Sequence, residues 1–225
     1  MKKITFLLFT IFLITFKTAA QDSKFKFGVQ GGLNYSSFRG YENYADNNPG
    51  FAYLFGASFQ YQIKENLSLK VDINFERKSQ ITKFTTELIY SSPISIPEIY
   101  HVRINSYRNY VVLPIMIKYN FTSNKNFYIN GGPFLGYLIK AGLKTSGINA
   151  PGINTDDTDN TKYYKSLDYG LSAGVGKEFK LNNNHQIYIE LRENLGLANT
   201  SKNEGIYNAI IKTNSLNLIV GYTFN

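Results

Sequence analysis

The 225-residue chain carries 24 Lys and Arg against 16 Asp and Glu, a formal net charge of +8, with 18 Tyr, 17 Phe, 18 Gly and neither Cys nor Trp. Without Cys no disulfide framework is available, so an exported domain of this composition is held by its sheet and packing, or by a membrane. The basic excess is spread along the chain with no long Lys/Arg run, which argues for anionic lipid head groups as its counterpart and against nucleic acid.

The chain begins with Lys2 and Lys3, an apolar run over 4–16, and then Thr18, Ala19 and Ala20. A charged start, a short apolar stretch and small residues before a cut predict a signal peptide over 1–20, cleaved before Gln21. The run is shorter than the roughly 20 residues of a spanning helix. No Cys at the cut supports a lipid anchor. Residues 21–225 are read as one exported domain. Losing Lys2, Lys3 and Lys17 lowers its formal charge from +8 to +5.

From residue 25 onward the apolar residues alternate with polar or small ones, the period of a strand with unlike faces. The first segment, 25–38, sets Phe25, Phe27, Val29, Leu33 and Tyr35 against Lys26, Gln30 and Asn34. The second, 51–63, and the third, 67–80, do the same, the third setting Val71, Ile73 and Phe75 against Lys70, Asp72, Asn74 and Glu76. Segments 110–121, 127–139, 167–179, 186–197 and 215–225 follow. Eight segments of 10–14 residues exceed the usual strand of about 5–6 and suit a tilted membrane-spanning strand of about 9–11.

The connections alternate between short and long. Short ones follow Ile63, Phe121 and Phe179, and long ones follow Phe38, Gln80, Ile139 and Leu197. Outer-membrane barrels sort their loops this way, with short periplasmic turns and longer outer loops. Aromatic residues gather at both strand ends, where the two lipid–water interfaces would lie. The prediction is all-β: an eight-stranded antiparallel up-and-down transmembrane β-barrel, its apolar face against lipid and its last strand closing on its first. Three residues disturb the pattern. Pro114 lies mid-strand and predicts a bulge. Glu193 falls on the lipid face, which predicts a second bulge near Arg192. Lys177 is also outward, near the periplasmic end, from where it can reach head groups.

The stretches YVVLPIMIKYNF (with Pro114 and Lys118), INGGPFLGYL and DYGLSAGVGKEF, with the terminal aromatic Phe224, resemble the small outer-membrane β-barrel proteins of Bacteroidetes-type bacteria, the PorT-like or porin family. The resemblance spans the whole of 21–225. It implies the outer membrane as location, and recognition by the outer-membrane assembly machinery through the terminal aromatic. One named member of that family serves type IX secretion, a role that a shared fold does not transfer.

Candidate chemistry lies on the inward faces. Lys70, Asp72, Glu76, Lys118, Asp168, Glu178, Glu190 and Arg192 form an expected lumen charge network, with Lys26 and Lys78 beside it. An eight-stranded barrel is about wide enough for its own side chains, so a paired plug is favoured over a conducting pore. His101 could meet Ser106 or Glu98 in a lipid-modifying hydrolase, but no local motif supports that triad. Asp156, Asp157 and Asp159 cluster as calcium ligands do, without EF-hand spacing. The glycines of GVQGG (28–32) lie within a strand, where they relieve crowding rather than cradle phosphate. The sequence therefore predicts a non-catalytic protein with no cofactor. Its partners would be outer-membrane lipid and a protein met through the outer loops. The rivals are a narrow passive channel, a secretion accessory and a lipid-modifying surface enzyme.

Overall fold

The computed structural model describes residues 24–40, 46–88, 98–121, 126–146, 157–181, 185–202 and 210–224. The expected leader at 1–20, Asp156 and the side chain of Glu98 lie outside them. The described strands are β1 (Phe25–Arg39), β2 (Asp46–Lys64), β3 (Leu67–Leu88), β4 (Glu98–Asn120), β5 (Phe127–Ser146), the two-residue β6 (Thr158–Asp159), β7 (Leu167–Lys180), β8 (His185–Gly196) and β9 (Lys212–Phe224). A 3-10 turn, Thr161–Tyr163, is the one helical piece among the described residues.

Eight strands close into a ring in the order β1-β2-β3-β4-β5-β7-β8-β9, every neighbour antiparallel, and β6 lies against β5. The seam joins β1 to β9 from Phe27↔Phe224 to Arg39↔Lys212. Closure leaves no strand edge in hydrocarbon, where unpaired N–H and C=O groups are costly.

The polarity of the sheet is inverted relative to a water-soluble domain. Phe51 is 73% exposed, Leu33 58% and Leu135 56%, whereas Lys70 and Arg192 are each 1% exposed. Period-two alternation puts the apolar residues on the convex face, which none of the described residues covers, and the polar ones inside. That is the arrangement lipid demands. Aromatic pairs mark two levels on the convex face. At the inner level Phe25 lies 4.9 Å from Tyr61 and Phe27 lies 5.3 Å from Phe59. At the outer level Tyr35 lies 4.7 Å from Phe51 and Tyr53 lies 6.2 Å from Phe75. The membrane-spanning segments run between these two levels.

Three expectations are corrected. No bulge forms at Pro114. The β3–β4 ladder skips Leu113 and Pro114 and keeps one register from Val71↔Ile115 to Asn74↔Val112, while Pro114 pairs with Phe134 on its other side. A missing N–H removes a ladder bond without needing an extra residue. No bulge forms near Arg192 either. β8 keeps unbroken register with both neighbours, and Glu193 pairs with Ala173 and Leu216 on the convex face. It stands three residues from the outer end of β8, where an outward carboxylate costs far less than at the bilayer midplane. The observed shifts lie instead between Pro49 and Leu54, between Gln62 and Lys64, and at Asn109/Tyr110.

Strand length is the third correction. β2, β3, β4 and β5 have 19, 22, 23 and 20 residues, so much of what reads as loop is sheet. The β3–β4 pairing continues to Leu88↔Glu98. The other four ring strands, of 12–15 residues, stop near the membrane. One side of the barrel therefore rises well above the other.

Inside, three aromatic rings lie across from glycines. Tyr128 pairs with Gly176, Phe134 with Gly170, and Tyr188 with Gly221. A Cβ on any of these glycines would collide with the facing ring. The glycines of β7 and β9 thus make room for bulky side chains in a narrow lumen.

Candidate functional site

The inward charges occupy three tiers. In the middle tier β3 supplies Lys70 and Asp72 and β8 supplies Glu190 and Arg192; these strands stand on opposite walls of the ring. Lys70 Nζ lies 2.7 Å from Glu190 Oε2 and 3.7 Å from Asp72 Oδ2. Arg192 Nη2 donates to Asp72 Oδ2 at 2.8 Å, and its Nε donates to Glu190 Oε1 at 2.6 Å. Each cation touches both carboxylates, which is what ions taken out of water require. The tier braces the barrel across its diameter.

Towards the outside, Lys78 lies 3.4 Å from Asp168 Oδ2, and Thr213 donates to the same oxygen at 2.7 Å. Glu76 has no ion pair among the described residues. Neutral donors hold it: Asn34 at 3.0 Å and Ser215 at 2.7 Å on Oε1, and Asn194 at 3.1 Å on Oε2. Towards the inside, Lys118 pairs with Glu178 and donates to Gln60 Oε1 at 3.0 Å, and Asn120 donates to Glu178 Oε2 at 3.1 Å. Tyr128 joins two tiers: its hydroxyl donates to Glu190 at 2.7 Å, and its ring centroid lies 4.2 Å from Lys118 Nζ. All eight predicted lumen residues are buried here, Glu178 least so at 7% exposed.

The two mouths differ. The inner mouth holds a cavity of about 460 Å³, bordered by Lys24, Lys26, Lys118 and Lys180 with Glu65 and Glu178. The outer mouth is capped. The Arg108 guanidinium lies 3.8 Å from the Phe38 ring centroid and 4.0 Å from that of Tyr164, and donates to Thr200 Oγ1 at 2.9 Å. Thr200 fastens the cap: its N–H and hydroxyl both donate to Ile211 O, and its own carbonyl accepts from Lys165 N–H at 2.8 Å. Beneath lies an apolar cluster of Tyr110, Val112, Phe134, Leu138 and Ala141. The sequence reading missed Arg108. Its signal was the inward parity it shares with Tyr110, hidden because the strand start was placed at Tyr110.

The other candidates are separated. His101 and Ser106 stand five residues apart on β4 and so point to opposite faces of the sheet, His101 exposed with its Nδ1 3.3 Å from Thr85 Oγ1. A triad cannot form from them. His185 Nδ1 lies 2.7 Å from the Tyr222 hydroxyl at the inner end. Asp157 accepts from the Tyr107 hydroxyl at 2.6 Å through both oxygens. Burial first, and the Asp157 carboxylate second, push that hydroxyl up to about 12. Asp159 accepts from Thr161 N–H at 2.8 Å, and bonding to Thr161 holds its carboxyl below the usual range. Asp157 and Asp159 thus serve different partners, and no group of three metal-binding side chains occurs among the described residues.

A comparison with curated proteins finds no match. Similar solved structures include the attachment invasion locus protein Ail of Yersinia pestis, 15% identical over 89% of this chain and 99% of that one, with a TM-score of 0.41. Neisserial surface protein A is 14% identical over 88% and 96% respectively, with a TM-score of 0.42. OprG from Pseudomonas aeruginosa is 12% identical over 89% and 96%, with a TM-score of 0.35. A family model described as an outer membrane protein beta-barrel domain matches residues 19–202, which contain seven of the eight ring strands and all eight predicted lumen residues. With a closed ring, an apolar outer face and that match, the chain belongs to the outer membrane β-barrel domain family.

Proposed function

We propose that this protein is a non-catalytic surface protein of the outer membrane, which works through the sheet and loops of its outer side rather than through its lumen. The observation that supports the reading is the outer cap: Arg108 lies between Phe38 and Tyr164 above an apolar cluster, which narrows the lumen at that end. The buried ion pairs below support it, because paired charges fill a barrel of this size. The leader at 1–20 would deliver the chain to the periplasm, and the assembly machinery would insert it. Its closer kinship would be with the PorT-like barrels, without a type IX secretion role being implied. The partner would be a protein met outside the cell through the raised strands and the loops joining them.

The wide inner cavity favours the narrow-channel reading as the runner-up. Planar-bilayer recording on refolded protein separates the two. The surface reading expects no steady conductance from wild-type protein. A steady ion-selective current that changes with Lys118→Glu would overturn it in favour of the channel.

A further inference from the structure

On the convex side of the raised wall, at the outer aromatic level, lies a cleft of about 560 Å³ that the surface reading does not use. Its β2 side is apolar: Phe51 is 73% exposed and Tyr53 46% exposed. Its β3–β5 side is cationic, lined by Arg77 and Lys144 with Asn105 between them. Arg77 is the next outward residue beyond Phe75 on β3, so the cleft crosses the boundary where lipid tails give way to head groups.

The cations are prepared. The Arg77 guanidinium stacks 3.9 Å from the Tyr107 ring centroid, and Tyr107 is itself pinned by its hydroxyl to Asp157. Among the described residues no carboxylate pairs with Arg77 or Lys144. Asp157, the acid that borders the cleft, is already engaged by Tyr107 and lies 3.9 Å from Lys140. Asn105 accepts from the Ser79 hydroxyl at 2.7 Å through Oδ1, which leaves its amide NH2 as a further donor. A planar fork with one face fixed, a second cation and an amide donor suit the oxygens of a phosphate group. Exposed rings beside them suit acyl chains. A free anion would use only the cationic side of the cleft; a lipid uses both.

We infer that this cleft binds one phosphate-bearing lipid of the outer leaflet, its phosphate on Arg77 and Lys144 and its chains along Phe51 and Tyr53. Such a lipid would fix the depth of the raised wall in the membrane.

The test is native mass spectrometry of the full chain, folded in non-ionic detergent. The probes are diphosphorylated lipid A, the same lipid stripped of phosphate, and inorganic phosphate. Wild-type protein should retain one lipid A. The double variant Arg77→Gln, Lys144→Gln should bind it about tenfold or more weakly while staying heat-modifiable on gels. Lys64→Gln, at the inner end, should bind like wild type. Should the double variant fail to fold, Lys144→Gln alone serves, because that side chain is exposed and should still weaken binding several-fold. Unchanged retention in the variants, or equal retention of the dephosphorylated lipid, would overturn the inference. So would inorganic phosphate displacing lipid A at similar concentration, which would mark a site for soluble anions.

Discussion

Each mouth of the lumen holds one buried cation, and the two cations have opposite effects. Arg108 at the outer mouth lies between two aromatic rings over an apolar cluster, and its charge gathers side chains into a lid. Lys118 at the inner mouth faces Glu178, Gln60 and a cavity of about 460 Å³, and its charge keeps that end polar. The difference lies in what surrounds the cation. A guanidinium has flat faces that accept rings and an edge that accepts a hydroxyl, so it can be desolvated. An ammonium beside a wet vestibule keeps water in reach. A charged lumen residue therefore does not by itself indicate a pore.

The largest test lies between the mouths. Arg192→Met leaves Glu190 and Asp72 to share Lys70 as their one cation in the middle tier and should destabilise the barrel by about 3–5 kcal/mol. Equilibrium unfolding by urea in lipid vesicles would read it, and both mouths should melt together. If one mouth survives, the middle tier does not brace the barrel.

Arg108→Ala should cost less, about 2 kcal/mol for a desolvated cation–aromatic contact, and should act locally. Amide exchange at Lys165 and Thr200 should accelerate, while Asn120, beside Lys118, keeps its protection. Unchanged exchange at Thr200 would mean that the lid rests on backbone bonds alone, and the contrast between the mouths would lose its cause.

Lys118→Gln should be milder still, about 1 kcal/mol, because an amide can keep one hydrogen bond and water from the vestibule can reach Glu178. A loss matching that of Arg192→Met would show the inner end to be as enclosed as the outer. The smallest expected effect is on acidity. Thr161 holds the Asp159 carboxyl below its ordinary value of 3.8, so the bond is complete above that value and is lost as pH falls through the lowered one. Exchange at Thr161 N–H should rise on acidification below about pH 4 with no shift in the global unfolding midpoint, since the carboxylate is exposed. A global shift would mean that the turn after β6 supports the barrel.

What the sequence showed and hid follows from where water is. Between the aromatic levels the two faces of each strand meet lipid and lumen, so alternation is strong and Val71, Ile73, Ile115 and Ile117 could be assigned outward directly. Beyond those levels both faces meet water, the contrast fades, and Ile81–Leu88 and Glu98–Ser106 read as loop although they are paired strands. Inward charge was legible by parity at Lys70, Asp72, Glu190 and Arg192. Their partnership was not, because Lys70 and Glu190 lie 120 residues apart and only ring closure brings them together. The Tyr128–Gly176 contact was hidden because it depends on the register between β5 and β7. Pro114 and Glu193 misled in another way: each breaks a local rule at a cost that the surrounding ladder or the interface can absorb.

The uneven height of the wall has a mechanical consequence. β3 continues for 13 residues past Phe75, so after allowing for tilt the hairpin with β4 stands about 30 Å beyond the outer aromatic level. It is flanked by the outer ends of β2 and β5, where the ring no longer closes. Among the described residues β1 pairs with β2 only as far as Ser36↔Gly50, leaving Asp46–Pro49 bonded to β3 alone. Pro49, which has no N–H, stands at the base of that free edge and discourages a foreign strand from docking there. On the other flank the described part of β5 from Lys144 to Ser146 is bonded to β4 alone and has no such guard. The described part of the wall is a cantilever, anchored in lipid at its base.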